Sequence, residues 1–162
     1  QAWSVIPDSA ELIGPQLYGA VELFGIDMLT STDGWAVGGI YWGEEGWQTA
    51  VRHWDGVRWS EAHEWGWPLR SVAMVSPADG WAVGGGTHRD HWGCTYSGWE
   101  FKRWDGAAWV EAGNPAGRQI NAVAMLSAND GWAVGSGTIL RYTGAQTDRR
   151  VYLPLIMAEI VH

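Results

Sequence analysis

The feature that most constrains the fold of this chain is a tryptophan-led motif that occurs three times. The residues DGWAVG stand at 33–38, 79–84 and 130–135, so their tryptophans lie 46 and 51 residues apart. A second motif, WDG, follows at residues 54–56 and 104–106, and it survives in the third unit only as YTG. A period of roughly 40 to 50 residues indicates a repeat architecture in which each unit packs against its neighbours.

Each repeat predicts four strands. An apolar run such as RSVAMV precedes an Asp-Gly turn signal, WAVG forms the second strand, the third ends at WDG, and the fourth begins at the next tryptophan. Alternation places Trp35 and Val37 on one face of the sheet and Ala36 and Gly38 on the other. Both faces are apolar, which favours radial stacking of sheets. The sequence therefore predicts an all-β fold of β-propeller blades, about three four-stranded antiparallel sheets, at residues 15–67, 68–116 and 117–144.

The motifs SxxDGWAVG and RWDGxxW resemble the bacterial propeller repeats of the WD-repeat/YVTN/neuraminidase-repeat-like superfamily over residues 15–144. They are similar to the repeats of photosystem II assembly factors and of secreted proteins with tandem WDG blades. This resemblance implies the propeller fold and, as an alternative function, a scaffold or assembly factor for a membrane protein complex. Sialidase activity is not implied, because Trp81 follows Gly80 directly and the spacing differs from that of the sialidase Asp box.

The strand pattern is too short for a closed ring. Residues 1–14 align with the fourth strand of a blade, while the third blade lacks a fourth strand of its own, so residues 1–144 read as one three-blade domain with a seam. A propeller ring normally needs at least four blades. Three explanations stay open: the chain is part of a longer propeller, two copies close a six-bladed ring by exchanging residues 1–14, or copies add head to tail into a filament.

Residues 145–162 form a linker and a β-prone tail, VYLPLIM, that competes for the same open edge. Pro154 cannot donate a ladder hydrogen bond, so the tail is predicted at the edge of a sheet. It either packs on its own blade or docks on another subunit or on the cell surface. The residues predicted at the subunit interface are Trp3, Val5, Ile6, Val151, Tyr152, Leu153, Leu155 and Ile156.

Composition narrows the function classes. The 162 residues carry a net charge of −8, with 10 basic and 18 acidic side chains and no basic stripe, which argues against nucleic-acid binding. No apolar run reaches the roughly 18 residues of a membrane helix. Cys94 is the single cysteine, which excludes an intrachain disulfide and leaves a free thiol, an interchain bridge or a metal ligand. The first residue, Gln1, fits either a secreted bacterial protein after removal of a signal peptide or a trimmed fragment.

The segments between the second and third strands are long and aromatic in blades one and two, and short in blade three. Equivalent loops emerge on one face of a propeller, and aromatic rings beside polar groups suit a sugar or a protein partner. The alternative is that these rings cover the sheets. The candidate binding residues are Tyr41, Trp42, Trp47, His88, His91, Trp92, Tyr96 and Trp99.

No catalytic residue, metal or cofactor is predicted. The spacing of His88, His91 and Cys94 lacks a second cluster that would complete a metal site. The aspartates that recur in every repeat indicate turn capping rather than catalysis; they are Asp33, Asp79, Asp130, Asp55 and Asp105. The favoured function is therefore non-enzymatic, a secreted, self-associating propeller subunit of an extracellular assembly or filament. A lectin-like propeller that binds carbohydrate is a further alternative.

Overall fold

The computed structural model describes residues 3–4 and 20–144, and for Ala20, Glu44 and residues 61–65 it describes the backbone alone. The described chain forms three antiparallel sheets, which confirms the predicted all-β class. Blade one is a meander whose strands lie in sequence order. Its strands are β1 (Ala20–Thr30), β2 (Asp33–Tyr41), β3 (Trp47–Trp54) and β4 (Trp59–Trp65).

Blades two and three repeat this meander, and blade three has three strands within the described residues. The strands of blade two are β5 (Leu69–Ser76), β6 (Asp79–Arg89), β7 (Thr95–Trp104) and β8 (Trp109–Glu111), and those of blade three are β9 (Ala122–Ser127), β10 (Asp130–Gly135) and β11 (Thr138–Tyr142). Equivalent residues of blades two and three also form equivalent cross-strand pairs. Gly80 lies opposite Trp104 in blade two, and Gly131 lies opposite Tyr142 at the same place in blade three.

The hairpins of blades one and two are longer than the sequence analysis predicted. The segments expected as loops continue the ladders, which pair out to Tyr41 opposite Trp47 and to Arg89 opposite Thr95. A short 3-10 turn at Gly43–Glu45 closes the first hairpin. Aromatic and β-branched residues favour extended backbone, so these segments prolong the strands instead of leaving the sheet.

The turn before each WAVG strand is capped by a hydroxyl, which corrects the predicted role of three aspartates. The capping pairs, amide to hydroxyl, are Thr32 to Thr30, Ala78 to Ser76 and Asn129 to Ser127. The aspartates begin the strand and bind a side chain at the end of the next strand. These pairs are Asp33 with His53 at 2.7 Å, Asp79 with Arg103 at 3.1 Å and Asp130 with Arg141 at 3.4 Å.

The aspartate of each WDG motif caps its turn as predicted. Asp55 Oδ1 accepts hydrogen bonds from the amides of Arg58 at 2.8 Å and Val57 at 2.9 Å. These backbone bonds hold the pKa of Asp55 below its usual value. The equivalent bonds from the amides of Ala108 and Ala107 lower the pKa of Asp105. The glycine of the motif is required because Gly56 has a φ of 91°, in the left-handed region that other residues rarely adopt.

The core lies between the blades. Trp35, Val37 and Val51 of blade one pack against Val72 and Met74 of blade two. The interface between blades two and three repeats this arrangement on a smaller scale, and its buried residues are Val83, Ile120 and Ala133. The alternation of WAVG thus directs its tryptophan and valine toward the next blade, because successive strand residues point to opposite faces.

Polar groups join the first strands of neighbouring blades. The amide of Met74 donates a 2.7 Å hydrogen bond to Oδ2 of Asp27, across the blade one–blade two interface. At the next interface the hydroxyl of Ser71 accepts from the amide of Val123 at 3.2 Å and lies 3.4 Å from the carbonyl oxygen of the same residue. Each bond satisfies a backbone group that packing would otherwise bury without a partner.

Candidate functional site

A cleft of about 500 Å³ lies between the long hairpins of blades one and two. We call it the hairpin cleft. Aromatic rings and four titratable side chains share its walls. The lining residues are Glu45, Gly46, Trp47, Gly66, Trp67, His88, Asp90, Trp92 and Tyr96.

Trp67 is fixed in the cleft by the crossover between the blades. The hydroxyl of Thr49 donates to its carbonyl oxygen at 2.8 Å, and its amide donates to Oε1 of Glu100 at 2.8 Å. Its indole lies against Gly86 and Gly98, which face each other across β6 and β7, and a Cβ at Gly98 would overlap the ring. A cross-strand glycine pair thus provides the flat backbone surface on which this tryptophan rests.

His88 is the one buried titratable group among the residues that line the cleft. Its side chain is 9% exposed and lies between aromatic rings, 6.1 Å from Tyr41 and 6.5 Å from Tyr96 between centroids. Neither ring nitrogen has a hydrogen-bond partner among the described residues. A buried polar atom without a partner costs roughly 1–3 kcal/mol, so such atoms in a cleft wall indicate a ligand or ordered water.

The structure brings together half of the predicted binding residues. Trp47, His88, Trp92 and Tyr96 line the hairpin cleft. Tyr41 contacts Trp47, with 5.0 Å between their ring centroids, but does not itself line the cleft. The remaining three predicted residues, Trp42, His91 and Trp99, are not among its lining residues.

Sequence reasoning did not predict Trp67, Glu45 or Asp90 as binding residues. Trp67 belongs to the crossover between blades, and its ring lies against Gly86 and Gly98, whose pairing depends on the register of β6 and β7. Asp90 raises the pKa of the Tyr96 hydroxyl, chiefly because the two groups lie close enough for their negative charges to repel.

Cys94 lies at the tip of the blade-two hairpin as a free, exposed thiol. Its amide donates to Oδ1 of Asp90 at 2.8 Å, which closes the turn. The rings of His91 and Trp92 contact each other at a tilt of 41°, with 3.5 Å between ring centroids. Within the part of the chain that the structure describes, no three His, Cys, Asp or Glu side chains converge on a metal position.

The two outer sheets of the stack each present an apolar surface. The blade-three face carries the tryptophan and valine of the third WAVG motif, and the blade-one face carries the first strand of blade one. On the blade-three face the exposed apolar side chains are Trp132, Val134 and Ile139. On the blade-one face they are Leu23, Phe24, Ile26 and Met28.

A socket of about 200 Å³ opens beside β11, between blades two and three. At the interface between blades one and two, the ring of Trp35 contacts those of Trp104 and Trp109, with 4.7 Å and 5.5 Å between ring centroids. Trp81 contacts Tyr142 at 5.0 Å, but the described part of blade three has no counterpart of Trp109. The socket, lined by Trp81 and Tyr142 among others, occupies the place where that fourth-strand tryptophan would pack.

The terminal residues predicted at the interface lie almost entirely outside the described residues. Trp3 is the exception: it belongs to no strand and is fully exposed. Val5, Ile6 and the tail residues 151–156 fall in segments that the structure does not describe. Strand donation and tail docking therefore stay predictions.

Comparison with known proteins supports the fold. No protein-family model and no curated protein matches the sequence. Among solved structures, eight chains match. One, described as "YCF48 bound to D1 peptide", superposes with a TM-score of 0.51 and 15% identity over 80% of this chain and 39% of that chain. This likeness confirms the predicted β-propeller blades, and the chain spans about two fifths of the length of that protein.

The described part of the chain contains no helix that is both long enough and apolar enough to cross a membrane.

Proposed function

We propose that this chain is a non-enzymatic propeller subunit that assembles by packing its blade-three face on the blade-one face of a second copy. One observation carries the proposal: residues that are buried inside the stack are exposed at its ends. Trp35 and Trp81 are 7% and 9% exposed, whereas the equivalent Trp132 is 43% exposed. Val37 is fully buried and the equivalent Val134 is 42% exposed.

The blade-one face has the side chains that such a contact needs. Inside the chain, the tryptophan and valine of blade one are covered by Val72 and Met74, which are 6% and 8% exposed. In the first strand of blade one, Ile26 corresponds to Val72 and Met28 corresponds to Met74. These two side chains are 63% and 42% exposed. The chain therefore carries both halves of one interface on opposite ends.

A contact between different surfaces of identical subunits is heterologous, so it either closes a ring or continues as a filament. Burial of apolar area stabilises it by about 25 cal/mol per Å². The socket beside β11 offers a second anchor, and residues 1–14, which begin QAWS, resemble the RWSEA and AWVEA segments of the fourth strands. Trp3 of a second copy is the side chain that we propose to fill this socket, with its strand pairing against β11.

The test is the mass of the particle, measured by light scattering over a range of concentrations. We expect two chains or a polymer for the unchanged protein. Val134→Arg places a charge on the blade-three face and should give monomers, because an unpaired charge in an apolar interface is costly. Val57→Arg is the matched control, since Val57 is 79% exposed in the WDG turn between β3 and β4.

A monomer at every concentration, or assembly that survives Val134→Arg, would show the proposal to be wrong. Strand donation is tested separately by Trp3→Ala and by deletion of residues 1–6. Either change should weaken assembly if the socket is filled from a second copy. Assembly of full strength after the deletion would leave packing of the faces intact and remove the strand exchange.

The second candidate function is a scaffold or assembly factor. It is favoured by the structural neighbour, whose description states that it binds a peptide. The same socket and the open edge of β11 would then accept a strand from another protein. This candidate is supported over self-association if the protein is a monomer that binds an added extended peptide, and if Trp81→Ala abolishes that binding while Val57→Arg does not.

Secretion stays a prediction, checked by locating the native protein in culture medium or cell fractions.

A further inference from the structure

We propose that the hairpin cleft is a carbohydrate-binding site for neutral or amine-bearing oligosaccharides. The site is distinct from both outer faces and from the socket, because its walls come from the β2–β3 and β6–β7 hairpins and the crossover at Trp67. The proposal therefore does not depend on self-association.

His88 provides the strongest argument for a polar ligand. Its imidazole is more than nine-tenths buried in the cleft wall, and both ring nitrogens lack a partner among the described residues. An imidazole offers one donor and one acceptor when neutral, which matches the paired donor and acceptor character of a sugar hydroxyl. A purely apolar ligand would leave the desolvation of both nitrogens uncompensated.

The rings of the cleft provide the second argument. Trp92 and Tyr96 are 79% and 54% exposed at its outer edge, while Trp47 and Trp67 form its half-buried inner wall. Flat rings with polar edges give large contact area at low cost in conformational entropy. Sugar rings present one C–H face and a rim of hydroxyls, so they stack on such surfaces while their hydroxyls reach groups such as His88.

Charge selects among carbohydrates. Glu45 and Asp90 line the cleft, and the described lining residues include no lysine or arginine. The whole chain has a net charge of −8. Uronic or sialylated sugars would meet like charge at short range, whereas the hydroxyls of neutral sugars donate hydrogen bonds to the carboxylates and amino sugars gain attraction.

A protein occupant fits this cleft less well than it fits the end faces. The apolar side chains named on those faces have repeat equivalents that already pack against other blades. The hairpin cleft instead combines separate rings with carboxylates and an unsatisfied imidazole. Such a mixture suits a small polar ligand whose orientation is fixed by a few hydrogen bonds.

The experiment uses the full chain and four soluble probes: cellohexaose, N-acetylchitohexaose, chitosan hexamer and oligogalacturonate. Isothermal titration calorimetry measures affinity, and the indole signals in a two-dimensional NMR spectrum report which tryptophans respond. We expect at least one of the first three probes to bind and oligogalacturonate to bind most weakly or not at all. No binding by any probe at millimolar concentration, or a preference for oligogalacturonate, would overturn the proposal.

Matched variants locate the site. Trp92→Ala should weaken binding about tenfold or more, since each 1.4 kcal/mol of lost contact is a factor of ten. Trp99→Ala is the control, because Trp99 is 45% exposed on the same hairpin but does not line the cleft. Equal affinity in both variants would overturn the proposal. Loss of self-association in Trp92→Ala would identify the cleft as a protein interface and also overturn it.

His88→Phe separates binding from folding. It keeps an aromatic ring of similar shape and removes two nitrogens that have no partner in the described structure. We expect binding to weaken about tenfold or more while Tm rises, the pattern of a residue kept for function at a cost in stability. An affinity equal to that of the unchanged protein would contradict the argument from His88.

Discussion

Trp35 and Trp132 are the same residue of the repeat in two different surroundings. Trp35 lies in the core between blades one and two, in contact with His53, Trp104 and Trp109. Trp132 lies on the blade-three face, where its ring contacts the guanidinium of Arg141 at 5.2 Å. Because the local sequence DGWAVG is identical, the difference in burial comes from the neighbouring blade and not from the strand itself.

The tryptophan and valine of the repeat are thus suited to contact with a neighbouring blade, even in blade three, where they are exposed. The residues of blade three keep the apolar character that blade one uses for its core, although their surface is open. Monomeric proteins rarely expose contiguous apolar surface of this kind. We therefore interpret the blade-one and blade-three faces as surfaces that a further blade or a second copy would cover.

The largest expected effect separates the two tryptophans. Trp35→Ala removes a 7% exposed indole from the main core and should lower the free energy of unfolding by about 3–5 kcal/mol. Trp132→Ala should cost about 1 kcal/mol or less when the chain is monomeric, because nearly half of its surface is already solvated. Urea unfolding at low protein concentration measures both values. Similar losses in the two variants would mean that the blade-three face is covered in solution.

A smaller effect distinguishes the two polar joints between blades, by which we mean the Asp27–Met74 hydrogen bond and the Ser71–Val123 hydrogen bonds. Asp27→Ala should lower the free energy of unfolding by about 1.5–3 kcal/mol, because it leaves the Met74 amide without its charged acceptor. Ser71→Ala should cost about 1 kcal/mol, since the bonds that it removes are neutral and longer. Asp27→Asn, which keeps an oxygen acceptor, is the control for the first variant. A larger loss for Ser71→Ala than for Asp27→Ala would reverse our ranking of the two joints.

The smallest effect concerns pH. The pKa values of Asp55 and Asp105 are lower in the folded chain, because backbone amides donate to the ionised carboxylates. The unfolded state therefore binds protons more readily, so this stabilisation is complete above the unfolded pKa near 4 and is lost as pH falls through the folded values. The double variant Asp55→Asn, Asp105→Asn should lose less stability between about pH 6 and pH 3, measured as the urea midpoint. An unchanged pH dependence would assign the effect to other carboxylates.

The repeat made much of the fold predictable. Strand order, the pairing of WAVG with its neighbours and the capping role of Asp55 and Asp105 all follow from local patterns that recur. The role of Asp33, Asp79 and Asp130 did not follow, because their partners lie on the adjacent strand and depend on register. The hydroxyl caps were obscured in blade one, where Thr30 takes the place of the serine found in the other two blades.

The hairpin cleft was only half predictable for the same physical reason. Its exposed rings stand out in the sequence because they interrupt polar segments. Trp67 reaches the cleft through bonds to Thr49 and Glu100, which lie 18 and 33 residues away in sequence. No local pattern reports such contacts, and the burial of His88 likewise results from packing between two hairpins.

The unequal size of the two cores has a consequence for motion. In the described structure, the interface between blades two and three buries fewer side chains than the one between blades one and two, and the edge of β11 is unpaired. Stacked repeats gain stability from each neighbour, so the end with the smaller interface opens first. Amide hydrogens of β9–β11 should therefore exchange with solvent through partial openings, ahead of those in β2 and β6. The segment that opens most easily is also the one that carries the socket, so any strand that enters it slows the opening of the whole blade.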